Sequence, residues 1–227
     1  MFTGLVQAMG EIVSIDRGKV DARLRIAAGK LPVEGVAEGD SICVNGACLT
    51  AITLDATGFA ADVSRETLDH TALGDLAPGA AVNLETSLTL QRPLGGHLVT
   101  GHVDGTGEVT AFEREGKSWR LTVRAPDELA RYIARKGSIC VDGVSLTVND
   151  VDGAFFGLNI VPHTLRETII GGYRPGSRVN LEVDIIARYL ERLLLGERAA
   201  DPGAAAGLTR SVLREHGFVQ DQGPAET

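Results

Sequence analysis

The ten residues from Ser41 to Thr50, SICVNGACLT, recur as Ser138 to Thr147, SICVDGVSLT, with seven of ten identical and a displacement of 97. Without a gap, the same displacement superposes Thr3-Gly4 on Thr100-Gly101, Gly10-Glu11 on Gly107-Glu108, and Pro78-Gly79 on Pro175-Gly176. It also superposes Val82-Asn83-Leu84-Glu85 on Val179-Asn180-Leu181-Glu182. The register holds from about residue 2 to about residue 88, a length that encloses one modest core. Such a chain folds as two copies of one domain.

Each copy of the run reads as a hairpin. Asn45-Gly46 and Asp142-Gly143 are dipeptides that reach positive φ at both central positions of a type I′ turn. Folding about that turn sets Val44 opposite Ala47, Cys43 opposite Cys48, Ile42 opposite Leu49 and Ser41 opposite Thr50. Alternation then gives an apolar face of Ile42, Val44, Ala47 and Leu49, with Ile139, Val141, Val144 and Leu146 in the second copy. The other face carries Ser41, Cys43, Cys48 and Thr50, or Ser138, Cys140, Ser145 and Thr147. That pattern suits a barrel with a polar pocket on its flank; a solvated strand face would read the same way.

Around the hairpins the strand signals fall at Gly10–Ile15, Ala22–Ile26, Gly58–Val63 and Val82–Leu84, and in the second copy at Phe155–Val161 and Val179–Leu181. Turn residues separate them at short intervals, which favours a small antiparallel barrel. Any helix over residues 28–39 is short, whereas APDELARYIARKGS, from Ala125, has the proline, acidic first turn and closing glycine of one or two helical turns. Thr67 and Thr164 open TLDHT and TLRET as candidate helix caps. The fold class is all-β: two tandem duplicated small antiparallel barrels, each with a short helix or two, followed by a C-terminal amphipathic helix. The expected divisions are 1–88 and 98–185 for the barrels and 89–97 for the linker. A helix spans 186–195, with Ile186, Leu190, Leu193 and Leu194 on one stripe, and a flexible tail covers 196–227, with one short helix over Thr209–Gly217.

Charge and composition remove several function classes. A net charge of −8 with no basic stripe argues against nucleic acid. The N-terminal MFTGLVQAMGEIV has neither a basic start nor a long apolar run, and no later run spans a membrane. Three cysteines, an odd number without an export signal, fit free thiols in a reducing cytoplasm. No cysteine or histidine spacing suits a metal. An aromatic content of 4%, with Trp119 alone of its kind, argues against an oligosaccharide-binding barrel.

In a duplicated fold, shared residues report mostly structure, so chemistry is sought where the copies differ. Cys48 becomes Ser145, Leu5 becomes His102, Glu66 becomes His163 and Gly39 becomes Lys136. A cysteine is a far better nucleophile than a serine with no base beside it, and a histidine moves protons near neutrality. His97 and His102 lie in GGHLVTGHVDGTGEV, a glycine-rich run that lacks the strand-then-helix context of a phosphate loop.

The opening MFTGLV, GDSICVNGACLT, LGGHLVTGHVDG, GSICVDGVSLTV and VPHTLRET together resemble the riboflavin synthase (alpha chain) family, over the chain to about Leu195. The resemblance implies dismutation of two molecules of 6,7-dimethyl-8-ribityllumazine, giving riboflavin and 5-amino-6-(D-ribitylamino)uracil by transfer of a four-carbon unit, with no metal or redox cofactor. It implies a homotrimer joined through the C-terminal helix, each barrel binding one lumazine or flavin, and the active site lying between the N-terminal barrel of one subunit and the C-terminal barrel of the next. A lumazine synthase shell is a candidate further partner.

The pterin-contacting segments of that family map onto Gly4, Leu5 and Val6, onto Cys48, Leu49 and Thr50, and onto Asp62, Val63, Ser64, Arg65, Glu66 and Thr67, which are assigned to the first barrel. In the second they map onto Gly101, His102 and Val103, onto Lys136, onto Ser145, Leu146 and Thr147, and onto Asn159, Ile160, Val161, Pro162, His163 and Thr164. Ser41, Cys48 and Thr50 are then expected to form one site and His102, Ser145 and Thr147 the other, with unequal roles as donor and acceptor. Cys48 or a water is the candidate nucleophile at ring position 7, and His102 the group that moves the 7-methyl proton. A lumazine or flavin carrier of the antenna kind and the flavin barrel of a reductase are the rival readings.

Overall fold

The computed structural model describes residues 1–201. The first copy runs β1 (Ala8–Arg17), β2 (Ala22–Ala27), β3 (Ser41–Val44), β4 (Ala47–Asp55), β5 (Gly58–Val63), α1 (Arg65–His70), a 3-10 turn (Ala72–Asp75) and β6 (Ala81–Thr86). The second repeats it as β7 (Gly105–Glu115), β8 (Ser118–Arg124), β9 (Ser138–Val141), β10 (Val144–Asp152), β11 (Phe155–Ile160), α2 (Pro162–Glu167), a 3-10 turn (Ile169–Gly172) and β12 (Arg178–Val183). From β3 onward each of these elements begins and ends 97 residues before its counterpart. Each copy closes into a six-stranded antiparallel barrel, in the orders β1-β2-β5-β4-β3-β6 and β10-β11-β8-β7-β12-β9.

The hairpins have the expected register, Ser41 with Thr50 through Val44 with Ala47. Asn45 and Asp142 sit at φ 46° and 44°, followed by Gly46 and Gly143 at 82° and 80°, the left-handed pair a type I′ turn requires. The inward residues Ile42, Val44 and Leu49 join Ile12, Leu24, Ile26, Phe59 and Leu84 in one core. Ile139 and Val141 join Leu121, Val123, Phe156, Leu158 and Leu181 in the other. Each such side chain contributes roughly 1.5–3 kcal/mol on burial, and Leu73 and Ile170 of the 3-10 turns add to the same two cores.

The two hairpin tips meet. A Cβ on Gly46 would lie 2.9 Å from the backbone nitrogen of Gly143, so both glycines are needed for this approach. A third buried cluster, Phe2, Val99, Cys43 and Cys140, fills the junction between the barrels. The hydroxyl-and-thiol face of the hairpin is therefore not one pocket wall, because its Cys43 is inside the junction while Cys48 is only half-buried.

Some local expectations give way. Residues 28–39 form turns and no helix, while Asp127–Tyr132 forms a 3-10 helix. Ser64, not Thr67, caps α1, its side chain accepting from the Thr67 N–H. α2 starts with Pro162 behind Val161 and has no side-chain cap. Thr71 and Thr168 instead cap the following 3-10 turns. Within 89–97 there is no strand, but the chain then pairs back on its own start through Phe2 and Val99.

The segment from Ile185 forms a separate unit. It contains α3 (Ile185–Leu194), on which Ile186, Tyr189, Leu190 and Leu193 are exposed, and a 3-10 turn at Gly196–Ala200. The helix anticipated over Thr209–Gly217 and most of the tail lie outside the described residues. No helix among the described residues is long and apolar enough to cross a membrane.

Candidate active site

Each barrel presents a buried glutamate at the same place, and each glutamate holds a piece of chain that reaches the other barrel. Glu85 accepts from Thr3 N (2.8 Å), Thr3 Oγ1 (2.6 Å) and Gly4 N (3.0 Å). Glu182 accepts from Thr100 N (2.6 Å), Thr100 Oγ1 (2.7 Å) and Gly101 N (2.9 Å). Burial pushes both carboxyls above their usual range against the pull of those hydrogen bonds. Held this way, the Gly4 carbonyl accepts from Ser145 N at 2.7 Å and the Gly101 carbonyl from Cys48 N at 2.8 Å.

Both contacts demand glycine. At Gly101 (φ 80°) a Cβ would lie 2.7 Å from the Cys48 Cβ, and at Gly4 (φ 72°) 2.6 Å from that of Ser145. Val103 packs on the first core and Val6 on the second. The expected partition is thereby corrected: Gly4, Leu5 and Val6 dock on the second barrel beside Ser145, and Gly101, His102 and Val103 on the first beside Cys48. The 97-residue register says which residues are equivalent; it does not say which copy each one touches.

The first of these composite sites is a cleft of about 370 Å³ lined by Ala47, Cys48, Glu66, Thr67, His70, Thr71, Gly101, His102, Val103 and Asp104. β4 supplies Cys48, α1 supplies Glu66, Thr67 and His70, and the crossing segment supplies His102. His70 Nε2 lies 3.5 Å from Glu66 Oε1 across one helical turn. His70, Thr71 and Asp104 were not among the expected site residues. The turn spacing of Glu66 and His70 carried a usable signal for the first of them. A thiol, two imidazoles, two carboxylates and two threonines around one cleft supply a nucleophile and proton carriers for chemistry on a small polar molecule. Among the described residues no cluster of His, Cys, Asp or Glu is placed to hold a metal ion.

Other expected residues are distributed differently. Ser41 lines a separate cleft with Asp40, Thr86 and Ser87, and its carbonyl accepts from Ser87 Oγ. Thr50 and Thr147 are exposed on their strands. Leu49, Val63 and Ile160 point into the barrel cores and Leu146 packs on the second, leaving their backbone for any ligand. Asp62 is held by Arg23 through two bonds of 2.7 and 3.0 Å, and Arg65 pairs with Asp69. Asn159, Val161, Pro162 and His163 are exposed and Thr164 is half-buried, all at the end of β11 and the start of α2. Lys136 is exposed with φ 68°, where the first copy has Gly39 at 93°.

One residue missing from the expected set stands against Ser145. His97 Nδ1 lies 2.6 Å from Ser145 Oγ, so the serine does have a base beside it. A larger cleft, about 510 Å³ around Arg17, Lys19, Arg65 and Arg178, lies elsewhere. Its arginines are engaged with Gly74 O, Asp69 and Asp75, and its lining has no cysteine, serine or histidine.

Two closed barrels joined about a local twofold, each receiving a glycine segment anchored on the other, with a small-molecule cleft where that segment meets Cys48, define a class of duplicated ligand-binding barrel proteins. The family model described as the lumazine binding domain matches this chain twice, over residues 3–87 and 100–184. Riboflavin synthase of Photobacterium phosphoreum is 42% identical over 96% of this chain and all of its own length. That of Bacillus subtilis is 38% identical, again over 96% of this chain and its whole length. Crystal structures of LumP complexed with 6,7-dimethyl-8-(1'-D-ribityl) lumazine and with riboflavin superpose with TM-scores of 0.73 and 0.75, at 26% and 27% identity, over 81% of this chain and 99% of theirs. The chain belongs to the lumazine-binding-domain family of riboflavin synthases.

Proposed function

We propose that the protein catalyses the dismutation of two molecules of 6,7-dimethyl-8-ribityllumazine, one donating a four-carbon unit to the other, to give riboflavin and 5-amino-6-(D-ribitylamino)uracil. The observation that carries this reading is the pair of equivalent composite sites with unequal contents, Cys48 with His102 in one and Ser145 with His97 in the other. A reaction between two identical substrates in different roles needs two like-shaped sites that treat them differently. One lumazine sits at each site, its ring along the crossing glycine segment. Cys48, or a water beside it, adds at ring position 7 of one substrate, while His102 carries the proton lost from the 7-methyl group of the other. The 7-methyl anion is a stabilised one, so orientation supplies much of the rate.

The assembly is a homotrimer in which Tyr189, Leu190 and Leu193, now 65%, 52% and 73% exposed, are covered by other subunits. The N-terminal barrel of one subunit then faces the C-terminal barrel of the next. A lumazine synthase shell is the proposed outer partner, and three free thiols suit the cytoplasm.

Purified protein incubated anaerobically with the lumazine tests the reading. Riboflavin at half the lumazine consumed, with no added cofactor, supports it. Tight binding with no riboflavin supports a carrier instead.

A further inference from the structure

The two sites differ in one hydrogen bond. Ser145 Oγ is bonded to His97 Nδ1, whereas among the described residues no imidazole is hydrogen-bonded to Cys48. The pair is built rather than incidental. His97 is 8% exposed, and its backbone N–H donates to Thr3 O, the residue that Glu85 anchors. A Cβ on the preceding Gly96 would lie 2.1 Å from Thr3 O and 3.1 Å from Ser145 Oγ, so the histidine's approach depends on that glycine. Among the described residues, His97 Nε2 is buried with no hydrogen-bond partner. Among the described residues, the imidazole's side-chain hydrogen bond is therefore the one with Ser145.

In the tautomer that leaves Nδ1 unprotonated, Ser145 donates its hydroxyl hydrogen and Nδ1 accepts it across 2.6 Å. Burial holds His97 below its ordinary pKa, only partly offset by Asp184, so the ring stays uncharged and able to accept at neutral pH.

We infer that His97 is a positioning residue of the second lumazine site: by accepting the Ser145 hydrogen it leaves Ser145 Oγ turned to the bound ring as an acceptor of raised basicity, which the first site lacks. This rests on the reading of the two sites given above. Oγ then accepts a hydrogen bond from an N–H or hydroxyl of the lumazine bound there, and the two sites are committed to different roles by this pair.

The test is steady-state turnover of 6,7-dimethyl-8-ribityllumazine by the full chain and by H97A, S145A, the double variant and H97N, with circular dichroism and lumazine binding measured on each. H97A and S145A each lower kcat by about tenfold or more with KM within about threefold, the double variant is no slower than S145A, and H97N, whose side-chain oxygen can accept, recovers part of the loss. Losses that multiply in the double variant, or an H97A protein with normal kcat and only a lowered melting temperature, overturn the inference. An unsubstituted chain that binds lumazine without turnover overturns the synthase reading itself, and this inference with it.

Discussion

Asn83 and Asn180 occupy the same place in the two barrels, and each makes its side-chain hydrogen bonds to the other copy. Asn83 Nδ2 donates to Asp142 O at 2.8 Å while its Oδ1 accepts from Ile169 N at 2.9 Å; Asn180 Nδ2 donates to Asn45 O at 2.7 Å while its Oδ1 accepts from Ala72 N at 2.6 Å. Both residues are 1% exposed. Replacing either by alanine strands two backbone groups in a dry junction. N83A and N180A are each expected to lose about 2–4 kcal/mol of stability in urea titrations, and an effect below about 0.5 kcal/mol would show that the barrels do not depend on this clasp.

Cys48 is the accessible thiol of the three. Cys43 and Cys140 are buried in the junction, and burial pushes both thiols well up, so neither is a reactive thiolate near neutrality. Iodoacetamide on the native protein should label one cysteine per chain, at Cys48, with loss of turnover and with protection by riboflavin. The Cys48→Ser protein should take no label before it unfolds. Labelling spread over all three positions by mass spectrometry contradicts the buried placement.

Asp142 carries a pH dependence that its counterpart Asn45 does not. Burial raises its carboxyl from 3.8 to about 7, although Tyr173 Oη and Asn180 N both donate to it. The folded state thus holds a proton that the unfolded chain has released, and stability falls as pH rises from about 4 to about 7. D142N, which installs the residue of the first copy, should match the native protein near pH 4 and exceed it by a few kcal/mol at pH 7.5, on the order set by linkage for a shift of this size. Parallel denaturation curves at the two pH values decide it.

Lys136 holds a left-handed conformation that its equivalent Gly39 adopts without strain. K136G should raise stability by about 1 kcal/mol. If Lys136 contacts substrate, the same change should raise the lumazine KM, and a KM left unchanged would remove Lys136 from the binding set.

The barrels were readable from the chain because their determinants are local: the Asn-Gly and Asp-Gly turns, the alternation of Ile42, Val44 and Leu49, and the repeat that states each twice. The division of the sites was not. Identical residues such as Asn83 and Asn180 look like shared fold in an alignment, yet in three dimensions they bind across the junction, and only the crossing of Gly101 to Cys48 reveals that His102 belongs with Cys48. His97 escaped for a related reason. It stands just outside the repeated register, so a comparison of the copies had nothing to set against it. Thr67 looked like a cap because the two copies share it, while the residue that caps α1, Ser64, is a valine in the second copy.

The crossing of Gly4 and Gly101 bears on what a shorter version of this molecule would be. A chain of half the length, paired with a second copy through the same junction, would own two whole sites that symmetry obliges to be identical. Tying the halves into one polypeptide lifts that obligation, so that one site can hold a thiol and the other a hydroxyl with an imidazole behind it. The covalent link is thus what lets two equal molecules of one substrate meet unequal surroundings.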